Sequence, residues 1–344
     1  MVRLASHIPA TTGHNFLNIR GGITMKNIET LDAKTLHQNR KVMYYEADSY
    51  RQSFIDPTTG LIDSKYAESR VCPVCGSGDH RIIFQKNGGI YVACDECSMI
   101  FLNPVFKDED LVRYYQNNNS SQALAHDSES EFYRRIYSAG LKLIAAVKAE
   151  GSILDIGCSS GFFLDVAKEN KYVTHGVELN KLEVEIARSK GHPVWDKPLD
   201  QIKSENTFDI ITLWDVFEHI KDGTSYLKDL RSRLRKDGLV FLQIPSADAL
   251  AARVMRERCN MFDGLEHVNL YSLRTITKTA TDAGFKVQAV SSVIDELKPV
   301  LNFLAYEDPY NGSFNPRDDF DFLTSDLIQQ KLLGYKLQVV LSVL

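Results

Sequence analysis

From Ser152 onward the chain alternates short apolar runs with stretches in which apolar residues recur every three or four positions. Runs at Ser152–Gly157, Thr174–Glu178, Ile210–Trp214, Leu239–Ile244 and Lys286–Val293 predict strands, with a short further one at Pro193–Trp195. Helices fit between them at Phe162–Lys168, Lys181–Lys190, Thr224–Leu234 and Leu273–Ala283, the last closed by Gly284, the residue type best suited to a left-handed cap. This alternation predicts an α/β domain, a doubly wound and mostly parallel sheet with helices on both faces. After Pro299 the pattern changes to a loop with two prolines and then a helix near Asp318–Leu332. The apolar run Lys336–Leu344 reads as a final strand.

Upstream the pattern is weaker. Residues 26–70 are polar, with a helix expected around Ala33–Tyr45 and a turn at Asp56–Gly60. A cysteine-bearing segment follows, then a polar connection at Asn117–Ser121 and a helical pattern at Glu131–Lys148. The expected organisation is an N-terminal extension (1–70), a small cysteine unit (71–104), a helical connection (105–149) and the α/β domain (150–344). Neither internal repeats nor low-complexity tracts interrupt it.

Composition narrows the function class. Forty Lys and Arg against forty-five Asp and Glu give a net charge of -5, without the basic footprint of a nucleic-acid binder. The longest apolar stretches, Leu141–Val147 and Leu337–Leu344, fall far short of the ~20 residues of a membrane span. His7, His14, Asn15 and Asn18 interrupt the place where an export signal needs an apolar run, and Met25 opens a more ordinary start. Met25 is therefore the expected native initiator, and a reducing cytoplasm the expected compartment.

Cys72, Cys75, Cys94 and Cys97 form C-x2-C-x18-C-x2-C, a spacing that brings two thiolate pairs onto one zinc ion. Between the pairs, Arg81–Gln85 and Ile90–Ala93 flank Asn87-Gly88-Gly89 and predict a hairpin, completing a zinc ribbon. Two disulfides or four unrelated thiols are the alternatives, and a reducing compartment disfavours the first. Four thiolates leave no open coordination position, so the expected Zn2+ is structural. Cys259 reads as a small packing residue, and Cys158 as the same unless its place in a glycine-rich loop brings it to a ligand.

That loop, Ile153-Leu154-Asp155-Ile156-Gly157-Cys158-Ser159-Ser160-Gly161-Phe162, joins the first strand of the α/β domain to its helix. Gly157 and Gly161 let the backbone turn sharply and approach a ligand. A dinucleotide-binding loop occupies the same place in dehydrogenases, but its G-x-G-x-x-G spacing differs from the G-x-x-x-G found here. Glu178, ending the next strand, is placed to accept hydrogen bonds from ribose hydroxyls, which suits either cofactor.

With Asp155, the loop resembles the first motif of class I S-adenosylmethionine methyltransferases, a strand ending in Asp-x-Gly-x-x-x-Gly. Phe208–Ile220 looks like that family's fourth strand and following loop, and Leu234–Leu239 like its turn into the fifth. The resemblance runs over roughly residues 150–344 and implies a seven-stranded sheet completed by an antiparallel last strand. It also implies that S-adenosylmethionine is held by Asp155, Gly157, Cys158 and Gly161 at the methionine moiety, Glu178 at the ribose and Pro198-Leu199 at the adenine, with Asp215 beside the sulfonium. Asp209 reads as a structural acid, and for Asp155 that alternative stays open.

Methyl transfer from a sulfonium also needs a base beside the acceptor. His219, after Glu218, and His267, after Glu266, follow the fourth and fifth strands, and imidazole titrates near neutrality. The segment Phe262–His267 with Tyr271-Ser272 is similar to zinc-bearing deoxysugar C-methyltransferases, which implies deprotonation by Glu266 and His267. Their tyrosine two residues before the glutamate is Gly264 here, and their further C-terminal domain is not expected, because Lys336–Leu344 reads as the last strand. The acceptor expected first is thus a hydroxyl of a carbohydrate-like or other small molecule, with C-methylation of a keto-deoxysugar nucleotide next. A non-catalytic cofactor-binding scaffold and a dehydrogenase remain alternatives.

Overall fold

A computed structural model describes residues 51–110, 130–203, 207–313 and 320–344. The helix expected at Ala33–Tyr45 and the connection at Asn117–Ser121 lie outside them. The first five strands are β1 (Ala67–Glu68), β2 (His80–Lys86), β3 (Gly89–Cys94), β4 (Ile100–Leu102) and β5 (Val105–Phe106). Helix α1 runs from Ser130 to Ala145.

The α/β region then runs β6 (Ser152–Ile156), α2 (Phe162–Glu169), β7 (Val173–Val177), α3 (Lys181–Ser189), β8 (Val194–Trp195), β9 (Phe208–Trp214), α4 (Gly223–Ser232) and β10 (Leu234–Pro245). It continues with α5 (Leu250–Met255), β11 (Asn269–Leu270), α6 (Leu273–Asp282), β12 (Phe285–Val293), α7 (Leu297–Leu304), α8 (Ser325–Gln330) and β13 (Lys336–Val343). Local signals explain several starts. Asn180 caps α3 through Leu182 N–H and Glu183 N–H, and Ser272 forms a capping box with Thr275 on α6.

The main sheet has seven strands in the order β12-β13-β10-β9-β6-β7-β8. All neighbours are parallel except those of β13, which is inserted antiparallel between β10 and β12. This is the doubly wound, mostly parallel methyltransferase-type sheet that the alternation and the resemblance implied. One face buries Leu154, Ile211, Leu213 and Val240 beneath α4 and α6 residues such as Leu227 and Ile276, and the other buries Ile153, Ile210 and Phe241 beneath α1 and α2. Gly140 lets α1 lie close, since a Cβ there would sit 2.4 Å from the Trp214 ring.

Two expectations past residue 296 need correction. Residues after Pro299 form α7 rather than a loop. Pro299 lies in the first turn after the cap residue Glu296, where a backbone N–H has no intrahelical partner to lose. The helix expected over Asp318–Leu332 is confined, among the described residues, to α8.

The cysteine segment folds as the expected hairpin, but its sheet is completed by the α/β region. Its order is β11-β4-β3-β2, with Asn269 opposite Phe101 and Leu270 opposite Ile100. Tyr91, Leu102 and Val105 share one apolar cluster with Ala249, Met255, Phe262 and Val268. Arg70 braces the joint: its guanidinium donates to Val268 O at 2.6 Å and to Asn269 Oδ1 at 2.9 Å, and its Nε to Leu102 O at 3.0 Å.

Candidate active site and cysteine cluster

The turn between β6 and α2 lies at the carboxyl edge of the sheet, where doubly wound folds bind ligands. Gly157 (φ 74°) and Gly161 (φ 78°) adopt left-handed conformations there, and a Cβ on Gly157 would lie 2.7 Å from Val216. The N–H groups of Gly157 and Cys158 both donate to Val177 O, at 2.8 and 3.1 Å. The thiol of Cys158 packs against Gly176, where a Cβ would come within 2.5 Å of its sulfur. Cys158 thus fits the packing reading through its side chain.

Glu178 ties this loop to the next turn. Its Oε2 accepts from Ser159 N–H at 2.9 Å, and its Oε1 from Leu179 and Asn180 N–H at 2.7 and 2.8 Å. Only Oε2 keeps an open lone-pair direction, so engaging two ribose hydroxyls requires one backbone donor to give way. Asp155 is only 2% exposed and accepts from Thr212 Oγ1 at 2.7 Å across the β6–β9 pair. Burial pushes its carboxyl up to about 8. Leu199 is buried in a short 3-10 turn capped by exposed Pro198. Asp209 accepts from Ser152 and Arg235 at the far end of β9, as a structural acid would.

Asp215 follows β9 with a left-handed φ of 56°. Its Oδ2 accepts from Gln243 Nε2 at 3.1 Å and from the Lys336 ammonium, while its Oδ1 is buried without a hydrogen-bond partner. Gln243 in turn accepts from Gln338 Nε2 at 3.0 Å. Lys336 reaches this edge because β13 is antiparallel, so that its first residue pairs with Pro245 at the end of β10. Sequence reasoning missed both Gln243 and Lys336; no motif announces them, and only the register of β13 does.

Beside Asp215, a 3-10 turn at Phe217–His219 carries Glu218 and His219, and the loop before β11 brings His267 against them. The two imidazole centroids are 5.1 Å apart. His267 Nδ1 lies 2.6 Å from Met261 O, a carbonyl that can only accept, so Nδ1 carries a proton and the neutral ring has its lone pair on Nε2. That Nε2 is 3.9 Å from Glu218 Oε1. Glu218 is fully buried, and neither carboxylate oxygen accepts a hydrogen bond. Burial, and then the nearby Asp215 charge, raise its carboxyl to about 8. Burial, and then the facing His267 ring, press His219 down to about 3. Burial alone would lower His267, but the carboxylates of Asp263 and Glu218 outweigh it and hold its pKa above the usual imidazole value.

Asp263 organises the His267 loop. Its carboxylate accepts from the N–H groups of Leu265, Glu266 and His267 at 2.7, 2.9 and 3.1 Å. Ligand atoms of Glu218 and His219 converge with His267 within 4.8 Å of one another. Sequence reasoning missed Asp263 and treated Glu218 only as a neighbour of His219. An aspartate four residues before a histidine was the available signal for the first.

The ribbon hairpin clasps the same loop. Tyr91 Oη accepts from Gly264 N–H at 3.1 Å and donates to His267 O at 3.4 Å, and Asn87 Nδ2 donates to Asp263 O at 3.1 Å. Gly264 (φ 87°) lies so close to β2 that a Cβ would meet Lys86 O at 2.1 Å. A tyrosine at this position, as in the deoxysugar enzymes, has no room.

The four ribbon cysteines converge. Cys72 and Cys97 sulfurs are 3.5 Å apart, as are those of Cys75 and Cys94, and all four lie within 4.8 Å of one another. Sulfurs ~2.3 Å from a tetrahedral zinc sit roughly 3.8 Å apart, so this cage fits the ion, and all four are free thiols. Each pair sits in the same turn: Gly76 N–H donates to Cys72 O and Ser98 N–H to Cys94 O, with left-handed φ at Gly76 (75°) and Ser98 (63°).

Residues 129–290 match the model of a family described as "Methyltransferase domain". Among curated proteins, the ubiquinone biosynthesis O-methyltransferases of Vibrio campbellii and Vibrio parahaemolyticus are each 29% identical over a stretch covering 27% of this chain. The chain spans 45% of the length of these relatives. Solved structures similar to it include an S-adenosylmethionine-dependent methyltransferase of Thermotoga maritima, a possible histamine N-methyltransferase, at TM-score 0.44 and 17% identity, covering 64% of this chain and 95% of that one. Another is an S-adenosylmethionine-dependent methyltransferase of Archaeoglobus fulgidus at TM-score 0.43 and 16% identity, covering 62% and 97%. Among the described residues no helix is long and apolar enough to cross a membrane. The strand order is that of a Rossmann-like, doubly wound methyltransferase fold, and the match to the methyltransferase-domain family falls on residues 129–290 of it.

Proposed function

We propose that the protein transfers a methyl group from S-adenosylmethionine to a hydroxyl oxygen of a carbohydrate-like or other small molecule, and that its four-cysteine ribbon holds a structural zinc ion. The observation that carries the reading is the His267 Nε2 lone pair. It faces Glu218 and His219 at the carboxyl edge of the sheet, beside Asp215. In this reading the loop from Asp155 through Gly157 to Gly161 receives the methionine end of the cofactor, Glu178 the ribose and Pro198-Leu199 the adenine, with Asp215 near the sulfonium. The acceptor oxygen forms its bond to the methyl carbon as the carbon–sulfur bond breaks and sulfur keeps the electron pair. The hydroxyl proton is lost at the histidine cluster, with His267 the residue on which that loss depends.

Oxygen is favoured over carbon by one observation of the structure: Gly264 cannot take the side chain that the C-methylating pattern carries. The Vibrio relatives are named as O-methyltransferases. The test has two parts. Calorimetry with S-adenosylhomocysteine and with NAD should give binding of the first alone. A methyl-transfer assay across nucleotide sugars and other hydroxylated acceptors, with products mapped by NMR, should place the new methyl on oxygen. Binding of NAD in place of S-adenosylhomocysteine would overturn the reading, and a new carbon–methyl signal would move it to C-methylation.

A further inference from the structure

We propose that Glu218, His219 and His267 form a second metal site, which takes a divalent cation through one carboxylate and two imidazoles. The proposal rests on the reading that an acceptor hydroxyl reacts at this cluster, and it deepens that reading by naming what draws the proton from it.

Three observations lead to it. One ligand atom from each residue can be chosen so that all lie within 4.8 Å of one another, a spacing one ion can bridge. Glu218 is fully buried, yet neither of its oxygens accepts a hydrogen bond, and the adjacent Asp215 Oδ1 is likewise buried and unpartnered. Burying a carboxyl group without a partner is costly, and a cation between Glu218 and the imidazoles removes that cost. Finally, His267 donates Nδ1–H to the Met261 carbonyl, the arrangement in which metal-bound histidines are usually held, with Nε2 left to coordinate.

The donor set separates this site from the ribbon. Two nitrogens and an oxygen suit Zn2+, Co2+ or Mn2+, whereas four thiolates close around a structural ion. Three protein ligands also leave positions for water or an acceptor oxygen. A coordinated hydroxyl loses its proton to solvent near neutral pH, and the resulting oxyanion attacks the methyl carbon while the sulfonium sulfur leaves with the bonding pair. His267 is then a ligand, so an alanine variant loses turnover whether or not a metal is present. Metal binding itself must therefore be read.

The experiment titrates Co2+ into the full chain with its ribbon zinc in place, after a mild chelator has stripped weakly held ions. The expected result is one Co2+ per chain with the weak visible bands of a nitrogen–oxygen site and no intense sulfur-to-metal band. Glu218→Gln and His219→Asn should each weaken that binding at least about tenfold while S-adenosylhomocysteine affinity holds. If Glu218→Gln fails to fold, His219→Asn carries the test. Absence of a stoichiometric Co2+ site in the wild type, or binding in the folded variants equal to wild type, overturns the metal site. Failure of the wild type to bind S-adenosylhomocysteine would instead sink the methyltransferase reading.

Discussion

Asp155 sits inside the sheet with a carboxyl raised to about 8, so near pH 7 it keeps a proton that the unfolded chain would release. The native state therefore binds more protons than the unfolded state between roughly pH 4 and 8. The contribution to stability is complete below about pH 4, falls as pH rises through that window and is flat above it. Asp155→Asn retains the oxygen that accepts from Thr212 and removes the titration. Denaturant midpoints measured from pH 4 to 8 should thus decline less in this variant, and equal declines would show that Asp155 is already ionised. Glu178 poses the opposite case, an acid satisfied by three backbone N–H groups before any ligand arrives. Glu178→Ala should weaken S-adenosylhomocysteine about 10- to 100-fold, since each charge-assisted bond is worth ~1.5–3 kcal/mol; an unchanged dissociation constant would place the ribose elsewhere. Both acids were legible in the sequence because each ends or nears a strand in a recognisable loop. Glu218, Asp263 and Lys336 were not legible as a group. They lie 45 and 73 residues apart in succession and meet only through the order of the strands.

Among the elements, the β2–β3 hairpin has a role that its cysteines did not foretell. Its tip closes on the His267 loop, with Gly89 and Gly264 packed so tightly that a Cβ on Gly89 would lie 2.2 Å from Gly264 O. Tyr91→Phe removes the hydroxyl that holds this loop at Gly264 and His267. Turnover should fall about tenfold with cofactor affinity unchanged, because misplacing a reacting group lowers rate without touching the distant loop. A matching loss of cofactor affinity would mean that the hairpin acts more broadly. Strands β6 and β9 were readable because buried parallel strands are largely continuous apolar runs. Strand β11 was not, since two residues carry no period and pair with a partner some 170 positions earlier. Helix α7 was obscured by Pro299, whose first-turn position is compatible with a helix but reads locally as a break.

For the molecule as a whole, this clasp predicts what loss of the proposed ribbon zinc does. Stripping zinc, or Cys94→Ser, should melt the cysteine unit, because so small a segment has little core of its own. The β4–β11 pairing and the Tyr91 contacts would go with it, so turnover should collapse while S-adenosylhomocysteine still binds, as paired assays on one sample would reveal. Retained turnover would show that the loop before β11 holds its shape unaided. Strand β13 has a consequence for synthesis. It is the last of the seven sheet strands to leave the ribosome, yet it belongs between β10 and β12, and among the described residues β12 pairs with no other strand. Until it emerges, the wholly buried stretch from Leu239 to Pro245 stands as an open edge, a template for any passing chain. Nascent chains halted before Lys336 are therefore expected to be chaperone clients, and Asp215 to gain its Lys336 partner only once β13 has emerged.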